Sequence, residues 1–300
     1  MERVQLTDEL SFSRIIHGMW RLADWKYSEQ ELLQLIEDCL EMGITTFDHA
    51  DIYGDYTCEQ IFGKALSLKP EWRDRMQLVT KCGIKPLSEK HPNTYIKHYD
   101  TSKEHILTAV DQSLSNLVTD RIDVLLIHRP DPFMDPEAVA EAFTLLRQAG
   151  KVLHFGVSNF TPVQVDMLSS YLDFPLVTNQ IEVNVMNLEH FDNGNIEKCW
   201  EKRLRPMIWS PLAGGRIFHS EDPKAGRLRN TLEQIADDLG ADGIDQVMYA
   251  WLLQHPLKMM PIVGSGKTER IRRAVKALEL PLTRQQWFEI WTCAVGHDVP

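Results

Sequence analysis

A chain of 300 residues, 43 % of them hydrophobic, carries enough apolar material for a large core and is not a disordered polymer. Its formal net charge of -11 argues against nucleic acid or an anionic membrane surface as partner, since both require clustered Lys and Arg. No apolar run approaches the roughly 18 residues of a membrane span, and the opening MERVQLTDEL lacks the apolar h-region of a secretory signal, so a cytoplasmic protein is expected.

The first predicted element is a small hairpin, Val4–Leu6 and Ser11–Ser13 around a polar TDE turn. Ile15–Trp20 reads as a strand. Ser28 caps a helix with Leu32, Leu33, Ile36 and Leu40 on one face, ending near Gly43. Thr45–His49 is strand-like, Glu59–Ser67 a short helix, and MQLVTK (76–81) a strand. A long polar loop spans about 83–101 before Ser102 caps a helix carrying Ile106, Val110 and Leu114. DVLLIH (123–128) is nearly all apolar, as a strand covered on both faces must be. A helix over about 135–149 stops at Gly150. HFGVSN (154–159), LVTNQIEV (176–183), PMIWSP (206–211) and MMPIVG (259–264) are further strands. Helices separate and follow them: Thr161–Tyr171, His190–Lys202, a pair from about Asn230 to Gln254, Thr268–Leu278 and finally Arg284–Ala294.

Strands joined by helical crossovers pair in parallel. Eight of them predict an α/β fold, a (β/α)8 barrel with an N-terminal β-hairpin and an extra C-terminal helix, residues 1–300 forming one domain. A doubly wound sheet would place a Gly-rich turn after its first strand; here that strand ends in HGMW, with a single Gly. The cysteines Cys39, Cys58, Cys82, Cys199 and Cys293 are scattered, without a C-x-x-C, and read as reduced thiols. Asn159-Phe160-Thr161 has the form of a glycosylation sequon, a chance match without an export signal.

In such a barrel the functional groups gather where strands end. Asp48, Tyr53, Lys81 and His128 then converge from three neighbouring strands, as acid–base chemistry requires. A tyrosine, with an ordinary pKa of about 10, is a poor proton donor alone. A nearby ammonium is expected to lower that value, and a carboxylate to hold the ammonium in place. No nucleophile stands out and no G-x-S-x-G turn occurs. The set reads as proton transfer to an oxygen, with the electrons supplied from elsewhere.

The motifs FDHADIYG (47–54), EQIFGKAL (59–66), TK (80–81), DVLLIH (123–128), GVSNF (156–160), NQIEVN (179–184) and WSPLAGG (209–215) follow one another in an order and spacing that resemble the aldo-keto reductase superfamily over most of the chain. The resemblance implies a barrel that binds NADPH without a Rossmann domain and reduces carbonyls, its partner a small carbonyl substrate. It implies Tyr53 as general acid, Lys81 and Asp48 as the groups that tune it, and His128 orienting the carbonyl. Ser158, Asn159 and Gln180 would hold the nicotinamide carboxamide, and Trp209 would stack on the ring. Ser210, Pro211, Leu212 and Gly214 would meet the pyrophosphate. Gly264, Ser265, Gly266, Lys267 and Arg270 would wrap the adenosine phosphate; Arg273, outside the family pattern, could add to the affinity for a 2′-phosphate or simply face solvent. Met19 and Trp20 are implied cofactor contacts; Trp20 and Trp25 could also wall an apolar pocket.

One departure stands out: where the family usually carries a Glu-Asn or similar pair touching adenine, this chain has Arg273 and Ala274. GSGKT (264–268) ends like a P-loop, but its first Gly would fall on Pro261. A metal-dependent barrel hydrolase could use Asp48, His49 and His128, but this chain lacks the His-x-His after the first strand and would put Lys81 beside the cation; no metal is expected. Some relatives are regulatory subunits, a role the intact tetrad argues against.

Overall fold

The computed structural model describes residues 1–299. The chain opens with the antiparallel pair β1 (Arg3–Gln5) and β2 (Ser11–Ser13). Then come β3 (Ile16–Gly18), β4 (Thr46–Asp48), β5 (Gln77–Cys82), the short antiparallel pair β6 (Ile84–Lys85) and β7 (His98–Tyr99), β8 (Ile122–Ile127), β9 (Val152–Ser158), β10 (Leu176–Glu182), β11 (Met207–Trp209) and β12 (Met260–Val263). Strands β3, β4, β5, β8, β9, β10, β11 and β12 are hydrogen-bonded in that order, all parallel, and β12 closes on β3. This is the expected (β/α)8 barrel, with helices between the strands and a last helix, Arg284–Val295.

The two-residue period of a strand decides which side chains enter the barrel. On β5, Val79 joins the interior cluster; Leu78 and Cys82 pack outward under the helices, and Thr80 donates to Glu59 of the helix Cys58–Leu66 at 2.6 Å. Lys81 therefore points inward at the strand's end. On β8, Val124 and Leu126 face in while Leu125 and Ile127 face out, so the next inward position is His128. The hairpin plugs the opposite end: Val4, Leu10 and Phe12 pack with Ile16, Met207 and Met260. Water is thus kept from the interior below the functional groups.

Three boundaries differ from the sequence reading. The helix expected over 190–202 is broken into Glu189–Asp192 and Asn195–Glu201, because Gly194 between them takes a left-handed φ of 83°. The helix expected from about Asn230 starts at Pro223, where Asp222 accepts the Lys224 N–H at 2.8 Å and Pro occupies the first turn. The segment after Lys81 is not a plain loop: β6 and β7 pair Ile84 with Tyr99 and Lys85 with His98.

Gly63 of the EQIFGKAL motif has a packing reason. A Cβ there would lie 2.1 Å from the Asn116 carbonyl oxygen and 2.8 Å from the Leu117 carbonyl carbon, so two helices meet backbone to backbone. Backbone cannot rotate aside as a side chain can. Gly63→Ala should destabilise the fold by about 1–3 kcal/mol, as overpacking of a filled core does. Thermal denaturation checks this; an unchanged melting temperature would mean that the helices separate freely.

Candidate active site

Lys81 has no exposed surface and its side chain reaches the mouth of the barrel from β5. An ammonium offers three hydrogens and no acceptor. Its Nζ meets Asp48 Oδ1 at 2.8 Å and Oδ2 at 2.9 Å, the His49 carbonyl at 2.6 Å, and Tyr53 Oη at 3.0 Å. Asp48 is also buried, at the end of β4, and Gln180 of β10 donates its amide to Asp48 Oδ1 at 2.8 Å. Burial pulls the Lys81 pKa down, but Asp48 and Tyr53 together outweigh it and hold it above its ordinary value. The lysine is therefore a fixed cation.

Because Lys81 can only donate, the Tyr53 oxygen accepts from it and the phenolic hydrogen is left to point elsewhere. The sequence leads one to expect Lys81 to lower the tyrosine pKa. In the structure burial is the larger influence and raises it above 10, with Lys81 acting in the opposite direction. Tyr53 thus keeps its proton until something draws it off. His128 faces it edge-on, ring centroids 5.8 Å apart. Burial first, then Lys81 and Arg129, push the His128 pKa well below 6.5, so its imidazole is neutral, and its Nδ1 has no partner.

A second chain of hydrogen bonds lines the mouth beside this set. Trp209, half-buried at the end of β11, donates its indole N–H to Asn159 Oδ1 at 3.0 Å. Asn159 donates to Ser158 Oγ at 2.8 Å, and Ser158 to the Gln180 carbonyl at 3.0 Å. Asn159 takes a left-handed φ of 60°, which asparagine tolerates better than most residues. Beyond Trp209, Ser210, Ala213, Gly214 and Gly215 all have positive φ, and Asn184 holds the Ser210 carbonyl at 3.0 Å. Pro211 is buried and Leu212 partly so. A Cβ on Gly214, Gly215 or Gly264 would meet nothing within 4 Å, so these glycines border open space.

The other expected positions divide. Met19 is fully buried and its N–H bonds the Asp48 carbonyl at 2.9 Å, whereas Trp20 is 59 % exposed. Lys267 and Arg270 are exposed and Ser265 half-buried, close to the start of the helix Thr268–Lys276. Arg273 does not stand free: its Nη1 lies 3.0 Å from both oxygens of Asp245. Trp25 packs against His17 and Gly266. Among the described residues, no three His, Cys, Asp or Glu side chains are placed to hold a metal ion. No helix among them is long and apolar enough to cross a membrane.

Two groups were not singled out from the sequence. The His49 carbonyl is one of the acceptors around Lys81, although the side chain beside it turns away against Phe62, 4.5 Å between ring centroids. Arg129 lies with its guanidinium carbon 5.5 Å from the centre of the Trp209 ring; its place directly after an inward-facing strand end was the available signal.

Chains similar to this one carry names. The aldo/keto reductase family pattern matches residues 14–294. A protein of Bacillus subtilis (strain 168) named uncharacterized oxidoreductase YcsN is 57 % identical over 300 residues, 100 % of each chain. A protein of Agrobacterium fabrum named 6-dehydroglucose reductase is 44 % identical over 300 residues, again 100 % of each. Among solved structures, the thermostable aldo-keto reductase Tm1743, crystallised with the inhibitor epalrestat, is 26 % identical with a TM-score of 0.82, over 98 % of this chain and 100 % of that one.

The buried histidines make the site sensitive to acid. His17 is pushed down to about 4 and His49 to about 3, burial being the main cause in each. Both stay neutral in the fold and charge near 6.5 once unfolded, so the unfolded chain gains protons first and stability falls as pH drops from about 6.5 toward 4. His49 alone should account for about 2 kcal/mol of loss between pH 7 and pH 5. Urea denaturation at the two pH values should show a smaller loss in His49→Asn than in the parent; equal losses would count against it.

Proposed function

Since the chain belongs to the aldo/keto reductase family, we propose that it reduces the carbonyl of a small aldehyde or ketone to the alcohol, with NADPH as reductant and Tyr53 as general acid. The observation that carries this reading is the buried Lys81, bonded at once to Asp48 and to the oxygen of Tyr53. A carbonyl oxygen between Tyr53 and His128 would receive a hydrogen bond from the free phenolic hydrogen and another from the neutral imidazole. As negative charge grows on that oxygen, Tyr53 gives up its proton, and the phenolate left behind is stabilised by the ammonium 3.0 Å away. Asp48 keeps the ammonium charged and in place throughout.

The mouth suits a dinucleotide. Asn159, Gln180 and Ser158, linked by hydrogen bonds at the ends of β9 and β10, are the polar groups assigned to a carboxamide. The half-buried Trp209 indole offers a ring face for nicotinamide, and the open glycines 214, 215 and 264 let phosphates approach the backbone. A reduced nicotinamide bound there would supply the hydride. Lys267 and Arg270, both exposed near the start of the helix Thr268–Lys276, are the cations assigned to a 2′-phosphate; Arg273, engaged by Asp245, is assigned no part in binding it. Tyr53→Phe should lower turnover of a broad aldehyde by several orders of magnitude and leave NADPH binding, read by fluorescence titration, nearly unchanged. Full activity in that variant would refute the assignment.

The substrate is best read as an aldehyde carrying hydroxyl groups. A relative named 6-dehydroglucose reductase acts on such a molecule, and Arg129 supplies a matching recognition group. Its guanidinium is steadied by the Trp209 ring, and none of the ion pairs among the described residues involves it. The nearest acid in sequence, Asp131, is occupied by the Thr101 hydroxyl at 2.7 Å and the Phe133 N–H at 2.8 Å. A forked donor beside the catalytic histidine suits vicinal oxygens. Arg129→Ala should cut kcat/KM for glyceraldehyde about tenfold, the loss of one charged hydrogen bond, while propanal changes less than about twofold. Equal effects on both aldehydes would overturn this specificity.

A further inference from the structure

The loop after β12, Gly264–Lys267, is tied to the segment that follows β3 by contacts the proposed reaction does not use. His17 of β3 is fully buried, and its Nε2 bonds the Ser265 carbonyl at 2.9 Å. The carbonyl can only accept, so Nε2 carries the hydrogen. Tyr27 donates its hydroxyl to the Gly266 carbonyl at 2.6 Å. The Gly266 backbone approaches the Trp25 indole so closely that a Cβ would come within 2.8 Å of the ring. Trp25 in turn stacks on His17, centroids 5.8 Å apart and planes at 27°. Lys26, with a left-handed φ of 53°, makes the turn between Trp25 and Tyr27. One residue further, Thr268 donates to Asp38 of the helix Glu29–Glu41 at 2.8 Å.

A loop holding two glycines would sample many conformations if left free, and ordering each residue costs about 1–2 kcal/mol. Here consecutive carbonyls of that loop are fixed by side chains from a distant part of the chain, and Gly266 is the residue that permits the close approach. We propose that His17, Trp25 and Tyr27 form a clamp that pre-organises the loop for the adenosine 2′-phosphate, and that part of the preference for NADPH over NADH comes from this clamp as well as from the cations. The three are positioning residues, acting through the loop that carries Ser265 and Lys267. The proposal rests on the reading that this loop meets the cofactor phosphate.

The test uses fluorescence titration of the purified enzyme with NADPH and with NADH, and kcat at saturating NADPH. Tyr27→Phe keeps the ring and removes one hydrogen bond. It should weaken NADPH about fivefold, change NADH less than about twofold, and leave kcat within about twofold. General loosening of the fold would weaken both cofactors alike, and that outcome, or no change in either, overturns the clamp. Lys267→Ala is measured in parallel. If it weakens NADPH while Tyr27→Phe does not, the clamp alone is wrong; if it too leaves NADPH unchanged, the phosphate reading of the loop fails and the proposal with it.

Discussion

An ammonium sealed from water stands at the centre of this protein. Moving such an ion into a protein interior costs several kcal/mol unless it is paired and its remaining hydrogens are bonded. Lys81 meets that demand with the Asp48 carboxylate, the His49 carbonyl and the Tyr53 oxygen. The carboxylate has its own second partner in Gln180, from the far side of the barrel. Removing any one of these would leave a buried charge or donor unsatisfied, so the cluster ties β4, β5 and β10 together across the barrel as well as holding the tyrosine. Stability and chemistry share one set of contacts.

The same cluster explains how two groups of ordinary type acquire distinct roles. Burial keeps Tyr53 protonated and His128 neutral, so both have a hydrogen to offer a substrate oxygen. The charge that would stabilise a developing anion is already present on Lys81 and needs no rearrangement during reaction. The hairpin closing the other end of the barrel, with Phe12 in the interior cluster, keeps that charge from being screened by water.

Around this centre the mouth is built from strand ends and left-handed turns. The row Trp209–Asn159–Ser158 joins β11 to β9, and the backbone then turns through Ser210 and Ala213–Gly215. His17, Trp25 and Tyr27 do for the loop after β12 what the Trp209 indole does for Asn159: they hold it from outside its own chain segment.

Strand ends were legible in the sequence because a strand has a period of two and a buried strand is apolar: once DVLLIH and MQLVTK read as barrel strands, His128 and Lys81 follow as their last inward residues. Caps such as Ser28 and Ser102 were legible because an N-cap is a local hydrogen bond. The break at Gly194 was not, since a glycine inside an amphipathic run permits a left-handed turn without requiring one. The pairing of Arg273 with Asp245, the reach of Arg129 to Trp209 and the bonds of Tyr27 and His17 to residues 265 and 266 join positions far apart in the chain. The sequence by itself determined the barrel and the hairpin, because periodicity and caps are local. Which of the cations stand free, which direction the Tyr53 pKa moves and what braces the loop after β12 were decided only by tertiary structure, because burial and long-range pairing exist only once the barrel has closed.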